Sequence, residues 1–323
     1  MTITLRDALG QFLDNVKASQ SKNTWVSYYS DLLGSTGFLS LLKPRVKPSM
    51  PINELTESMG AQYMQNLLAR GASASTRQRR AAAIREFFKF VRARKMAKVS
   101  AEDLDYLFKS GKFLSGIRDE IRFDAKKIDR ILTHIQSALS MTKHSLIDLR
   151  DRAFILTLAE TGLRVQEACN LRRGDIDWKA GTAIIVGKGQ KQEHIRFGKR
   201  SLRAVKAYLQ ARSEQDGRTG NLAALPIFSR HDKKAALKSV PIGISKAEQI
   251  IHSAAAAALG YDYDPSITCH TLRHYFVTRI WSQTGDLKLA QEMARHSSVA
   301  TTTKYTHITD SKRDARHAEI FDE

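Results

Sequence analysis

Cysteine is scarce. Cys169 and Cys269 are the only two in 323 residues, too few for a disulfide framework and consistent with a reducing cytoplasm. Cys269, His270 and His274 do not make a ligand set at zinc spacing, so the thiols read as ordinary buried ones and no metal or other cofactor is expected. Long apolar runs are missing as well. Nothing approaches the ~18 residues of a membrane span, and Met1–Gly10 lacks the pattern of a signal peptide. Acidic residues are the third shortage: 33 Asp and Glu stand against 52 Lys and Arg, a net charge of +19. Self-repulsion on that scale costs stability, and a polyanionic partner offsets it. A membrane surface would require a basic amphipathic segment beside an apolar anchor or a lipidation site, and neither is found. Nucleic acid is therefore the expected partner, with no membrane.

What is present suits a folded protein of two domains. The hydrophobic fraction is 42%, enough for packed cores, and domains run to roughly 100–200 residues. Residues 1–98 hold 16 Lys and Arg against 6 Asp and Glu, a net +10, leaving +9 for the remaining 225. This first segment reads as helical. Leu5, Leu9, Phe12, Leu13 and Val16 recur at helical spacing. Further helices are predicted over Lys22–Leu33, over Leu55–Leu68 before Gly71, and from Ser73 or Ser75 onward, with Pro44, Pro48 and Pro51 marking a loop. The last helix carries Arg77, Arg79, Arg80, Arg85 and Lys89. A solvated face is the ordinary reading of such a run, but in a segment this basic it is assigned to phosphate or groove binding.

Residues 99–124 lack a sustained period and read as a linker. Beyond them, Ile128, Ile131, Leu132 and Ile135 mark a helix, and another runs over Leu146–Thr161 to a stop at Gly162. Thr182–Val186 and His194–Phe197, around Gly187-Lys188-Gly189, read as a hairpin. Helices resume over Ser201–Arg212, Ser245–Leu259 and Thr271–Ser282. The fold class is mainly α with a small antiparallel β-sheet in the second domain.

Five stretches of the second half combine into a chemistry: Thr161-Gly162-Leu163-Arg164 with Glu167, Gly187-Lys188-Gly189, His270-Thr271-Leu272-Arg273-His274, Arg295-His296-Ser297-Ser298, and Lys304-Tyr305. Breaking a phosphodiester without metal needs fixed cations on the nonbridging oxygens, a proton donor for the leaving oxygen and an activated nucleophile, since tyrosine ionises only near ~10. Arginine suits the first task because its planar fork binds phosphate in two places and stays charged. Taken singly, each residue has a plain structural reading: Arg164 a surface arginine, Lys188 a loop lysine, His270 and Arg273 a satisfied pair one turn apart, His296 a loop histidine, Tyr305 a buried aromatic with a bonded hydroxyl. Together they meet the whole list.

Their order and spacing resemble the tyrosine recombinase, or phage integrase, family: Arg164 in Thr-Gly-Leu-Arg with an acid three residues on, a hairpin Lys188, His270-x-x-Arg273, then His296 and, nine residues later, Tyr305. The basic helical first domain is similar to the family's SAM-like core-binding domain. One position departs from the pattern, because the family usually has glycine where Arg295 stands. Glycine there would permit a backbone angle or a close approach that arginine resists, or Arg295 adds a phosphate contact.

The resemblance implies a site-specific recombinase, independent of metal and ATP, whose two domains clamp DNA. Tyr305 would form a 3′-phosphotyrosyl link, Arg164 and Arg273 clamp the phosphate, Lys188 protonate the leaving 5′-hydroxyl, His270 assist at the tyrosine, His296 bond the phosphate, and Glu167 support the group. It also implies a specific double-stranded site, a homotetramer on DNA formed from monomers through a Holliday junction, and a cytoplasmic, nucleoid-associated location. The expected divisions are residues 1–98 (core-binding), 99–124 (linker), 125–310 (catalytic) and 311–323 (a tail docking on a neighbouring subunit). The first helix starts too early for an added arm-binding domain. The competing readings are strand relaxation of the type IB topoisomerase kind and a DNA-binding protein without catalysis.

Overall fold

The computed structural model describes residues 2–42, 47–100, 103, 106, 123–137, 144–187, 192–217, 221–232 and 239–295. The chain divides into two compact units, Met1–Glu120 and Ile121–Glu323.

The first unit is helical: α1 (Leu5–Ser19), α2 (Lys22–Leu33), α3 (Phe38–Leu41), α4 (Glu57–Ala69) and α5 (Ala74–Ala93). Short hydroxyl side chains start three of them. Thr4 and Asp7 form a reciprocal cap on α1, and Ser21 and Ser73 accept the Thr24 and Thr76 N–H groups at the starts of α2 and α5, satisfying donors that lack a partner in the first turn. The expected stripe of α1, from Leu5 to Val16, is buried and packs with Ile84, Phe87, Phe88 and Val91 of α5. Phe12 meets Phe87 and Phe90 edge-on at 5.7 and 5.5 Å. The helix expected from Leu55 begins at Glu57, because Leu55 closes a 3-10 turn over Ile52–Glu54 and is itself buried.

In the second unit, α6 (Ala125–Ser137) precedes α7 (Leu146–Thr161) and the short α8 (Val165–Asn170). Ala153 through Ala159 are all buried, so α7 is the central helix, enclosed by α9 (Lys199–Ala211) and α12 (Cys269–Thr284). Its C-terminal half is enclosed on every side and needs no polar face, which is why Ala153–Ala159 reads in the sequence as a near-continuous apolar run, whereas the first half keeps Asp148, Asp151 and Arg152 toward the outside. The sheet has the order β1-β2-β3, with β1 (Ile176–Asp177), β2 (Thr182–Val186) and β3 (Gln192–Arg196) antiparallel. Its register pairs Thr182 with Arg196 and Val186 with Gln192. Ala183, Ile185 and Ile195 face the core, the period-two alternation of a half-covered sheet. Also present are α10 (Ser213–Asp216), α11 (Ile244–Leu259) and α13 (Leu287–Ala294).

A polar cluster lies inside this unit. Arg212 is fully buried; it is paired with Asp216 at 2.8 Å and donates to the Tyr208 hydroxyl and to the Pro226 and Ile227 carbonyls. The Tyr208 hydroxyl lies 2.7 Å from Nε2 of His231. Burial and the charges of Arg150 and Arg212 push His231 down to about 4, so the ring is neutral at pH 7. The Tyr208 oxygen already accepts from Arg212 and from the Ser229 N–H, which leaves its O–H to donate a hydrogen bond to Nε2.

Candidate active site

The site is built at the turn between α7 and α8. Gly162 ends α7 in the left-handed region, at φ 61° and ψ 22°. Its N–H returns to the Leu158 carbonyl at 3.2 Å. A side chain is excluded there twice, because any Cβ would overlap the Phe276 ring as well as resist the positive φ. The turn leaves the Gly162 carbonyl as an acceptor for two arginines from elsewhere in the chain.

Arg164 is the N-cap of α8, and Glu167 is its third residue. One carboxylate holds Arg164 twice. Its Oε2 accepts the Arg164 backbone N–H at 2.9 Å and its Oε1 accepts Nη1–H at 2.7 Å. The Glu167 side chain is only 8% exposed, whereas Arg164 is 42% exposed, so the buried acid orients a cation whose outer face meets solvent.

Arg273 comes from α12, whose first turn is closed by a reciprocal cap between Thr268 and Thr271. It is 2% exposed and donates to the Gly162 carbonyl through Nη1 and to the Ala294 carbonyl through Nη2. Arg164 Nη2 donates to the next carbonyl, that of Arg295, at 3.3 Å. Two arginines far apart in sequence are thus brought together on consecutive carbonyls at the end of α13. His270 lies one turn before Arg273 and is exposed, with its ring centre 4.1 Å from that of His274.

The sequence leaves Arg295 as an anomaly, and its geometry shows why. It closes α13 in the left-handed region, at φ 57° and ψ 46°, the conformation glycine adopts freely and other residues adopt at a cost of about 1 kcal/mol. Its side chain is 6% exposed. Nη2 donates to Glu167 Oε2 at 3.1 Å and to the Gly162 carbonyl at 3.2 Å, and Nε lies 3.8 Å from Glu193 Oε2 on β3. Burial lowers its pKa, and the Glu167 and Glu193 carboxylates oppose that shift. Three guanidinium groups against two carboxylates leave a surplus of positive charge suited to an anion. Sequence reasoning missed Glu193 and the bonding role of Arg295; the departure from glycine was the one available signal.

Lys188, His296 and Tyr305 lie outside the described residues, as does the tail from 311 to 323. Among the described residues no group of three or more His, Cys, Asp or Glu is arranged to hold a metal ion, and no helix is long and apolar enough to cross a membrane. Cys169 and Cys269 are free and buried. Burial pushes the Cys169 thiol up to about 11 and raises that of Cys269 further, so neither is a reactive thiolate.

In the first unit, the basic residues of α5 do not share one exposed face. Arg77 is 7% exposed and donates to the Ala72 carbonyl. Arg80 is also turned inward, bonding the Thr36 carbonyl and hydroxyl and lying 3.6 Å from the fully buried Asp31. Arg79 pairs with the same Asp31 while remaining about half exposed. Arg85 is half-buried, and Lys89 is exposed with Glu86 at 2.9 Å.

Comparison with known proteins gives the family of the chain. Residues 121–312 match the model of the phage integrase family, and residues 9–95 match that of the phage integrase N-terminal SAM-like domain. Similar proteins include the tyrosine recombinase XerC of Halalkalibacterium halodurans, 26% identical over 93% of this chain and 91% of that one. The tyrosine recombinase XerD of Chlorobaculum tepidum is 28% identical over 95% and 93%. Among solved structures, the XerH site-specific recombinase in a post-cleavage complex with its difH substrate has a TM-score of 0.69 at 18% identity, covering 100% of this chain and 98% of that one. The Tn1549 transposon integrase in complex with a circular intermediate DNA has a TM-score of 0.71 at 16% identity, covering 99% and 100%.

Proposed function

Because the chain belongs to the phage integrase family, we propose that it recombines DNA at specific sites by cutting and rejoining strands through Tyr305. The phenolic oxygen of Tyr305 attacks the scissile phosphorus and the bond to the 5′-oxygen breaks, leaving a 3′-phosphotyrosyl link. Lys188 gives the departing oxygen its proton, and His270 takes up the tyrosine proton. Arg164 and Arg273, with His296, bind the nonbridging oxygens as their charge grows. The link conserves the bond energy, so a 5′-hydroxyl from a partner strand reverses the step without ATP.

The observation that carries this reading is the meeting of Arg164 and Arg273 on the adjacent Arg295 and Ala294 carbonyls. Two forks fixed side by side form a cradle for one phosphate, and the buried Glu167 sets the aim of the more exposed one. The recombinase relatives favour exchange between two duplexes over relaxation of one. Two duplexes require four active sites, so the working form is a homotetramer on double-stranded DNA, assembled from monomers and joined through a Holliday junction. Residues 125–310 supply the chemistry and 1–98 grip the DNA backbone. Residues 99–124 link them, the tail 311–323 docks on a neighbouring subunit, and the protein works in the cytoplasm at the nucleoid.

The test is a nicked substrate carrying the protein's recombination site, which traps the covalent product. A protein–DNA band on a denaturing gel, absent in Tyr305→Phe, is expected. No band from the wild-type chain on a site it demonstrably binds would leave a binding protein without catalysis.

A further inference from the structure

We propose that Arg295 is a positioning residue of the phosphate clamp, a role that rests on the recombinase reading above. Its guanidinium holds Glu167 Oε2 and the Gly162 carbonyl. Glu167 holds Arg164 by backbone and side chain, and the Gly162 carbonyl receives Arg273. The backbone carbonyl of Arg295 receives Arg164 directly. Both clamp arginines are therefore tied to one residue by three routes.

The conformation supports the same conclusion. A left-handed arginine is kept where glycine would sit without strain. Its side chain does not run out to solvent, as most arginines do, but packs inward beside two carboxylates, one of them on the strand β3. Its Nη2 is spent on the Gly162 carbonyl and on Glu167, the same two groups that hold Arg273 and Arg164, so Arg295 acts through those two arginines. Glycine offers the backbone angle with none of these bonds. In this chain the clamp has gained a second fastener.

The experiment is single-turnover cleavage of the nicked substrate by Arg295→Gly and Arg295→Lys. Glycine relieves the left-handed strain but leaves the buried Glu167 with Arg164 as its remaining partner, so the urea midpoint of each variant is measured beforehand and rates are compared where the variant is folded. Arg295→Gly should slow cleavage about 10- to 100-fold, the scale of a clamp misplaced by about 1 Å, with DNA affinity unchanged, and Arg295→Lys should recover part of the loss. A second substrate with a methylphosphonate at the cleavage point lacks the negative charge the clamp neutralises, and Arg295→Gly should cleave it as fast as the wild type. In a Glu167→Gln background the glycine substitution should add little. Wild-type rates on the phosphodiester, equal loss on both substrates, or full additivity with Glu167→Gln would each overturn the assignment. The last would mean that Arg295 meets the phosphate itself. Wild-type cleavage is measured first; its absence would refute the recombinase reading, not this one.

Discussion

Gly162→Ala is a small change at the point where the site is assembled. A left-handed backbone costs an alanine about 1 kcal/mol. The added methyl also overlaps the Phe276 ring, which belongs to a small buried cluster with Val277, Ala290 and Ala294. Forcing a carbon into such a space costs about 1–3 kcal/mol. The second unit should therefore lose about 2–4 kcal/mol, a shift of roughly 1–2 M in urea midpoint for a slope near 2 kcal/mol per molar. Tryptophan fluorescence reads this cleanly. Of the three tryptophans, Trp178 and Trp281 lie in the second unit, so a Trp25→Phe background silences the first. Cleavage should fall along with stability, since the carbonyl that receives Arg273 and Arg295 moves with the turn. Replacing Phe276 by Leu in the same chain should restore part of the stability by making room, leaving the backbone cost. An alanine variant with wild-type midpoint and cleavage rate would refute both the strain and the positioning role of this turn.

Further outcomes are expected. His231 is held down to about 4 in the folded state against about 6.5 unfolded, so the unfolded chain binds the extra proton first as pH falls. Stability of the second unit should decline from pH 6.5 toward 4, by at most about 3 kcal/mol and, with the ring partly open to solvent, by about 1–2 kcal/mol; an urea series in which His231→Gln keeps the same slope would contradict this. Arg80→Met should cost the first unit about 3 kcal/mol by leaving the buried Asp31 half-compensated, seen as faster hydrogen exchange in α2 and α5; unchanged exchange would place the pair among inert ones. Lys188→Ala should regain cleavage on a 5′-phosphorothiolate, whose sulfur leaves without a proton, and failure of that rescue would remove the general-acid role.

The helical bundle was legible because its signals are local. Apolar spacing marked α1, and Lys22–Leu33 and Leu146–Thr161 coincide with observed helices, the latter because Gly162 is a stop that the sequence announces. The hairpin was legible from its β-branched run. What escaped notice was short or non-local. Neither the two-residue β1 nor the four-residue α3 has enough length for a period. Arg164, Glu167 and Arg273 were visible as motif members, but their meeting at the end of α13 was not, because it depends on where α12 returns past the α7–α8 turn. The inward rotation of Arg77 and Arg80 was hidden for a similar reason: a basic run looks alike whether its partners are DNA phosphates or the Thr36 and Ala72 carbonyls.

Those two inward arginines carry a practical consequence. They count toward the isoelectric point but hold no mobile counterion for a polyanion to displace. On a heparin column the protein should elute at lower salt than its composition suggests, and surface substitutions meant to loosen its grip would have to fall elsewhere on the helix. Removing either buried guanidinium would soften the bundle before it altered the affinity.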